Sequence, residues 1–286
     1  MHLEPWRWDP REGRLGRTEK FEGRFARVEI WQQEPDAVTV GWDPRGSITE
    51  AEVLGRVRRW LSADWEPSPA IIALPDLAAL IERGGGRLLR GSSFYEDFVK
   101  TVLTINTSWS ATCRMAAALV AEPGGGGFPG PVALLGYGER RLRDQAKLGF
   151  RAPTVIAATR QMLDDGAITP AGEGIPERLE HAYLIGLKGI GPYAAAHCRV
   201  LLHDFARIPV DSSVITYLRE RFGCDPAAFA EERASWGDYL ALGYRLSRLQ
   251  EKLKQAREAG QSEMSGGNAP GSIPNSDRAA VIQPRN

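Results

Sequence analysis

The sequence predicts a mainly α-helical protein with a small α+β domain at its N-terminus. Three observations carry this. Arg24 to Gln32 alternates around Val28 and Ile30, and Ala37 to Trp42 is a second short alternating run, as in half-buried strands. From Asp76 onward, segment after segment repeats apolar residues at helical spacing between short turns. Near residue 190, two helical patterns meet at a turn that carries two glycines one residue apart.

The N-terminal elements come first. Glu34-Pro35-Asp36 between the two strands is turn chemistry, so they form a hairpin. Ser47 to Glu50 gives a capping-box pattern before a helix that reaches about Ser62 and buries Val53, Leu54, Val57 and Leu61. Trp65 to Pro75 is a proline-marked connection, which closes the small domain at residues 1–75.

Helices are then expected over Asp76–Arg83, Ser93–Thr104, Ser108–Val120, Val132–Gly136, Glu139–Lys147 and Thr154–Leu163. Pro176 to Leu187 reads as the next, on Leu179, Ala182, Tyr183 and Ile185-Gly186. Gly189 and Gly191 break it, and Pro192 suits the first turn of a helix running to about His203. Ser212–Phe222, Pro226–Arg233 and a long helix from about Trp236 complete a helical domain over residues 76–256. Beyond Arg257, Gly, Ser, Asn, Pro and scattered charges leave little to bury, so 257–286 reads as a disordered tail.

Composition bounds the function. At 286 residues, 43% hydrophobic and 25% charged, the chain is ordinary for a soluble protein with an ample core. Zero net charge disfavours binding by bulk electrostatics alone, so any nucleic-acid contact must rest on local fields. No apolar run is long enough to span a membrane, and MHLEPWRWDP has no signal-peptide core, so a cytoplasmic protein is expected, nucleoid-associated if bacterial. Cys113, Cys198 and Cys224 lie far apart, and the four histidines form no ligand spacing, so no metal is expected.

The stretch Leu187-Lys188-Gly189-Ile190-Gly191-Pro192-Tyr193 points backbone N–H groups beyond the N-terminus of the second helix, which makes a phosphate site. Eighteen residues after Tyr193 comes Asp211, preceded by Val210 and followed by a new helix. Taken alone, Asp211 is an N-cap. LKGIGPYAAA and the spaced Val210-Asp211 together resemble the helix-hairpin-helix DNA glycosylase superfamily. The resemblance covers about Asp76 to Lys254, with the hairpin at 176–203. The N-terminal sheet is similar to the extra domain of the alkyladenine and 8-oxoguanine branches.

The resemblance implies a fold of two helical subdomains, a double-stranded DNA substrate with a damaged base, and a monomeric enzyme. It implies that amides around Lys188, Gly189, Ile190 and Gly191 clamp the backbone, with no organic cofactor and at most a monovalent cation at the hairpin. Many relatives carry an iron–sulfur cluster on four cysteines after the aspartate. Here only Cys224 follows Asp211, so none is expected. Asp211 takes the catalytic role, because cleavage of an N-glycosidic bond leaves positive charge on the sugar and a carboxylate stabilises it. Bifunctional members place a nucleophilic lysine two residues after the second hairpin glycine. Tyr193 stands there, so the chain is expected to use water and to lack lyase activity, with Lys188 facing phosphate or solvent.

Further assignments follow from the same resemblance and from what lies beside its residues. Asn106, in VKTVLTINTSW, falls where relatives carry the residue that fills the gap left by an extruded base; a helix C-cap is its ordinary alternative. Trp109 either stacks on a base or packs in the core. His197 and Tyr244 fall near the base pocket, where buried structural roles are equally open. Leu148-Gly149-Phe150-Arg151-Ala152 resembles a turn of 8-oxoguanine glycosylases. Adenine glycosylases keep a proton-donating glutamate one turn before the plug, where this chain has Val102, so an alkylated purine is favoured. An 8-oxoguanine-type enzyme and a non-catalytic hairpin DNA-binding protein are the alternatives.

Overall fold

The computed structural model describes residues 3–34, 37–44, 48–263 and 280–282; of 257–263 and 280–282 it describes the backbone. The chain divides into two compact units. The first comprises 1–64, 88–203 and 279–286, and the second comprises 65–87 and 204–278. These divisions do not fall at the expected boundaries of 75 and 256. The N-terminal sheet shares one unit with the hairpin helices, for a reason visible in its charges.

In the first unit, β1 (Arg7–Asp9), β2 (Arg14–Phe21), β3 (Arg24–Glu34) and β4 (Ala37–Asp43) form an antiparallel meander. The registers include Arg17↔Val28 and Ile30↔Val40. A late strand, β5 (Ala280–Ile282), pairs with the outer edge of β4. The expected turn at Pro35-Asp36 and the expected Ser47 cap lie outside the described residues. α1 (Glu50–Trp60) is capped instead at Thr49, whose side chain receives the Glu52 N–H while the Glu52 carboxylate accepts the Thr49 N–H. Its Val53, Val57 and Trp60 pack on Val28, Ile30 and Val40 of the sheet.

β2 was not expected from the sequence, and its inner face explains why. Its inward positions are Arg17, Glu19 and Phe21, so the alternation is masked by two charges. Arg17 lies between the rings of Trp6 and Trp60, with centroids at 4.8 and 4.9 Å. It donates to Glu19 at 2.7 Å and to Glu96 at 3.0 Å. Glu96 belongs to α4 (Phe94–Leu103), where Lys100 also reaches it at 2.6 Å. Burial opposes charge on Glu96, but Arg17 and Lys100 outweigh it and hold the carboxyl well below its usual range. This buried network ties the sheet to the helices.

The helical layer continues with α5 (Trp109–Ala121), α6 (Pro131–Tyr137), α7 (Glu139–Asp144), α8 (Arg151–Asp164), α9 (His181–Gly186) and α10 (Pro192–Leu201). Phe94, Phe98, Leu119, Leu134, Val155 and Leu184 are among the residues of its core. α8 begins at Arg151 rather than at Thr154, because Pro153 stands in its first turn, where a missing N–H is tolerated. The first hairpin helix is shorter than expected. Pro176–Arg178 is a 3-10 turn and Glu180 is extended, so α9 proper starts at His181.

The second unit holds α2 (Ser68–Ala73) and α3 (Ala78–Glu82), then α11 (Ser212–Phe222), α12 (Pro226–Glu232) and α13 (Leu240–Glu263). α2 falls inside the stretch expected to be a plain connection, with prolines at its start. Gly237 has φ +50 and interrupts the expected helix at Trp236, so α13 starts at Leu240. α13 runs to Glu263, into the stretch expected to be a tail; residues 264–279 and 283–286 lie outside the described residues. The unit's core is aromatic, with Trp65 against Phe205 at 5.7 Å and Phe229 edge-on to Trp236 and Tyr244.

Candidate nucleic-acid site

The hairpin belongs to the first unit. Leu187 and Ile190 are buried, and the Ile190 N–H donates to the Leu187 carbonyl at 3.0 Å, which closes the turn. Lys188 and Gly189 therefore stand at its exposed tip. Gly189 has φ +83, and a Cβ there would lie 2.5 Å from Thr154 Oγ1 on α8. Both the backbone conformation and the close approach demand glycine. Gly191 has an ordinary φ of −97 and nothing within 4 Å of where its Cβ would be. It is the N-cap of α10, where no side chain caps the helix and Pro192 takes the first position. The turn thus offers backbone N–H groups and a helix dipole to an anion.

Tyr193 is half-buried in the first turn of α10, and its ring stacks on that of His197 at 5.9 Å. Tyr193 and His197 thus form one face of α10, while Ala194, Ala195 and Cys198 on its other side pack into the core. Burial pushes the Cys198 thiol up to about 12, which makes it an inert packing group. Among the described residues, no group of His, Cys, Asp and Glu is arranged to hold a metal ion.

Asn106 lies in the loop after α4, exposed, with φ +47. Asparagine tolerates this left-handed conformation better than most side chains. The loop is tied at several points. The Thr112 hydroxyl donates to Leu103 O, and the Arg151 guanidinium donates to the carbonyls of Ile105 and Asn106, the latter at 3.1 Å. The sequence marks Arg151 only through its place in the Leu148–Ala152 turn. Trp109 opens α5 and is 43% exposed, so it is not a core residue. Phe150, whose ring lies against the Arg151 guanidinium, is 61% exposed.

Asp211 and Tyr244 belong to the second unit. Asp211 caps α11: its Oδ1 accepts the Val214 N–H at 2.9 Å and the Ser213 hydroxyl at 2.8 Å. The side chain is exposed, and both of these bonds end on the same oxygen. The carboxylate is therefore held through Oδ1. The two roles considered for Asp211 are compatible, since capping fixes the group that would do chemistry. Tyr244 departs from an open stacking position. It is 4% exposed, packed edge-on against Tyr217 and Phe229, and its hydroxyl accepts from Arg248 at 3.0 Å. Burial raises its pKa, Arg248 opposes this, and the charge of nearby Asp211 adds to the rise.

A wide groove of about 1100 Å³ lies elsewhere in the first unit, lined by Trp8, Arg11, Arg14 and Val120. Several of its charges are paired, as in Arg7–Glu4 and Arg14–Glu29.

No family model and no curated protein matches the sequence. Solved structures do match the fold. A 3-methyladenine DNA-glycosylase from Archaeoglobus fulgidus is similar with a TM-score of 0.62 at 18% identity, over 85% of this chain and 88% of that one. An 8-oxoguanine glycosylase/lyase from Clostridium acetobutylicum gives 0.63 at 16% identity, over 84% and 86%. The same enzyme bound to double-stranded DNA with cytosine opposite 8-oxoguanine gives 0.61 at 14% identity, over 86% and 88%. The chain shares the fold of these DNA glycosylases, mainly helical with a small N-terminal antiparallel sheet.

Proposed function

We propose that the protein is a monofunctional DNA glycosylase that hydrolyses the N-glycosidic bond of a flipped, damaged purine in double-stranded DNA. The observation that carries this reading is the exposed Asp211 carboxylate, held by two hydrogen bonds to Oδ1, in a chain whose fold is that of DNA glycosylases. As the base departs, positive charge grows on the sugar, and a fixed carboxylate stabilises it without reorganising. The same group orients a water for attack at C1′. The hairpin amides and Lys188 hold backbone phosphates, which positions the strand without reading its sequence.

Tyr193 supports hydrolysis rather than a covalent route, since a phenol forms no Schiff base. Val102 is 1% exposed and packed among core residues, so that turn supplies no proton to a leaving base. A cationic alkylated purine needs none, which favours an alkylated base. The oxidised-purine reading has its own support in the exposed Phe150 and the Leu148–Ala152 turn.

Duplexes with one lesion each, 3-methyladenine, 7-methylguanine or 8-oxoguanine, test the reading. After incubation, strands are cut with hot alkali or left untreated. Alkali-dependent cleavage of the alkylated duplexes is expected. Cleavage of the 8-oxoguanine duplex alone would move the reading to the oxidised purine, and cleavage of none would exclude a purine glycosylase of either kind.

A further inference from the structure

Arg151 is 6% exposed, a charged group held almost wholly away from water. A buried guanidinium needs acceptors, and this one finds backbone carbonyls rather than a carboxylate. It donates to Ile105 and Asn106, the two residues that follow the last turn of α4 and its C-cap. Its Nε is buried without a hydrogen-bond partner, so the two carbonyls carry its satisfaction. The Phe150 ring lies 4.2 Å from the guanidinium, which covers it from another side. Asn106 itself is held at φ +47, a conformation that a free loop would leave.

We propose that Arg151 is a positioning residue, whose buried guanidinium locks the Asn106 backbone so that the Asn106 side chain projects from the loop as a fixed plug. This rests on the base-excision reading, in which a protein group fills the gap left by the extruded base. A loop ordered before DNA arrives does not have to be ordered during extrusion, and a plug displaced by about 1 Å loses much of its effect. Arg151 acts through Asn106 and touches no reacting atom.

The test uses the full chain and the variants Arg151→Met, Arg151→Lys, Asn106→Ala and the Arg151→Met/Asn106→Ala double. Hydrogen exchange over residues 103–109 reads loop order in the free protein. The fluorescence of 2-aminopurine placed opposite a mismatched base reads unstacking on binding, with no need for cleavage. Arg151→Met is expected to speed exchange about tenfold, as for loss of a charged hydrogen bond. It should cut unstacking as much as Asn106→Ala, while duplex affinity changes less than about threefold. The double variant should be no worse than the weaker single, and Arg151→Lys, which keeps one charged donor, should recover part of both signals. Additive losses in the double, unchanged exchange over 103–109, or a lysine variant no better than methionine would overturn the proposal. A wild-type chain that unstacks the probe but excises no lesion would sink the base-excision reading and leave the Arg151 assignment standing. A wild-type chain that leaves the probe stacked would sink both.

Discussion

Gly189 and Thr154 meet so closely that a Cβ on the glycine would stand 2.5 Å from the threonine Oγ1. The hairpin tip is thereby seated on α8, and the two hairpin glycines have different physical duties. Gly189→Ala must adopt φ +83 and push Thr154 aside, so it should cost about 1–3 kcal/mol of stability, read by urea denaturation. Gly191→Ala meets no atom within 4 Å and loses only the better capping of glycine, so it should cost less, about 0.5–1 kcal/mol. Its methyl group instead occupies space where a phosphate would approach the amides, so duplex affinity by anisotropy should fall. Equal stability losses in both variants would contradict this division.

The Arg17–Glu96 pair governs acid stability. Glu96→Gln leaves the buried Arg17 short of a counter-charge and should cost about 3–5 kcal/mol. The folded pKa of Glu96 is depressed below its unfolded value near 4.5. Its contribution is therefore present above pH 4.5 and lost as pH falls towards the folded value. Asp97 behaves oppositely. Burial pushes it to about 6, against Arg59 and the Gly91 N–H, so its contribution is lost as pH rises through 6. Thermal melts from pH 6 down to 3 should show a steep loss below pH 4.5 that is flattened in Glu96→Gln. An unchanged slope would assign the acid limb to other groups.

Strand nicking separates Tyr193 from Lys188. With a phenol in place of the nucleophilic lysine, borohydride should trap no covalent adduct on a lesion duplex. Lys188 lies at the exposed tip, before Gly189, where the proposed reading has it face phosphate. Lys188→Ala should thus weaken duplex binding and reduce its salt dependence by about one counterion, with single-turnover excision at saturation intact. A trapped adduct that disappears in Lys188→Ala would make the protein a lyase.

The chain shows where sequence reading succeeds and where it stops. The meeting of α9 and α10 was legible because glycine, glycine and proline punctuate it at fixed offsets. β2 was not, because Arg17 and Glu19 occupy inward positions that the pattern reserves for apolar side chains. α9 was overextended because Leu179 is buried but lies in a turn, so burial alone imitated helical spacing. Asp211 was legible as a cap from the residues after it, and its exposure follows from that place. Arg151 was hidden, because its partners are backbone carbonyls some 45 positions earlier, and carbonyls leave no mark in a sequence.

The most direct measurement is base release by Asp211→Asn on a lesion duplex, alongside its affinity for the same duplex. Asparagine caps a helix about as well as aspartate, so α11 should keep its start and the melting temperature should hold. The account predicts that release collapses by at least about a hundredfold while the duplex still binds. Release at the wild-type rate by a folded Asp211→Asn would contradict it.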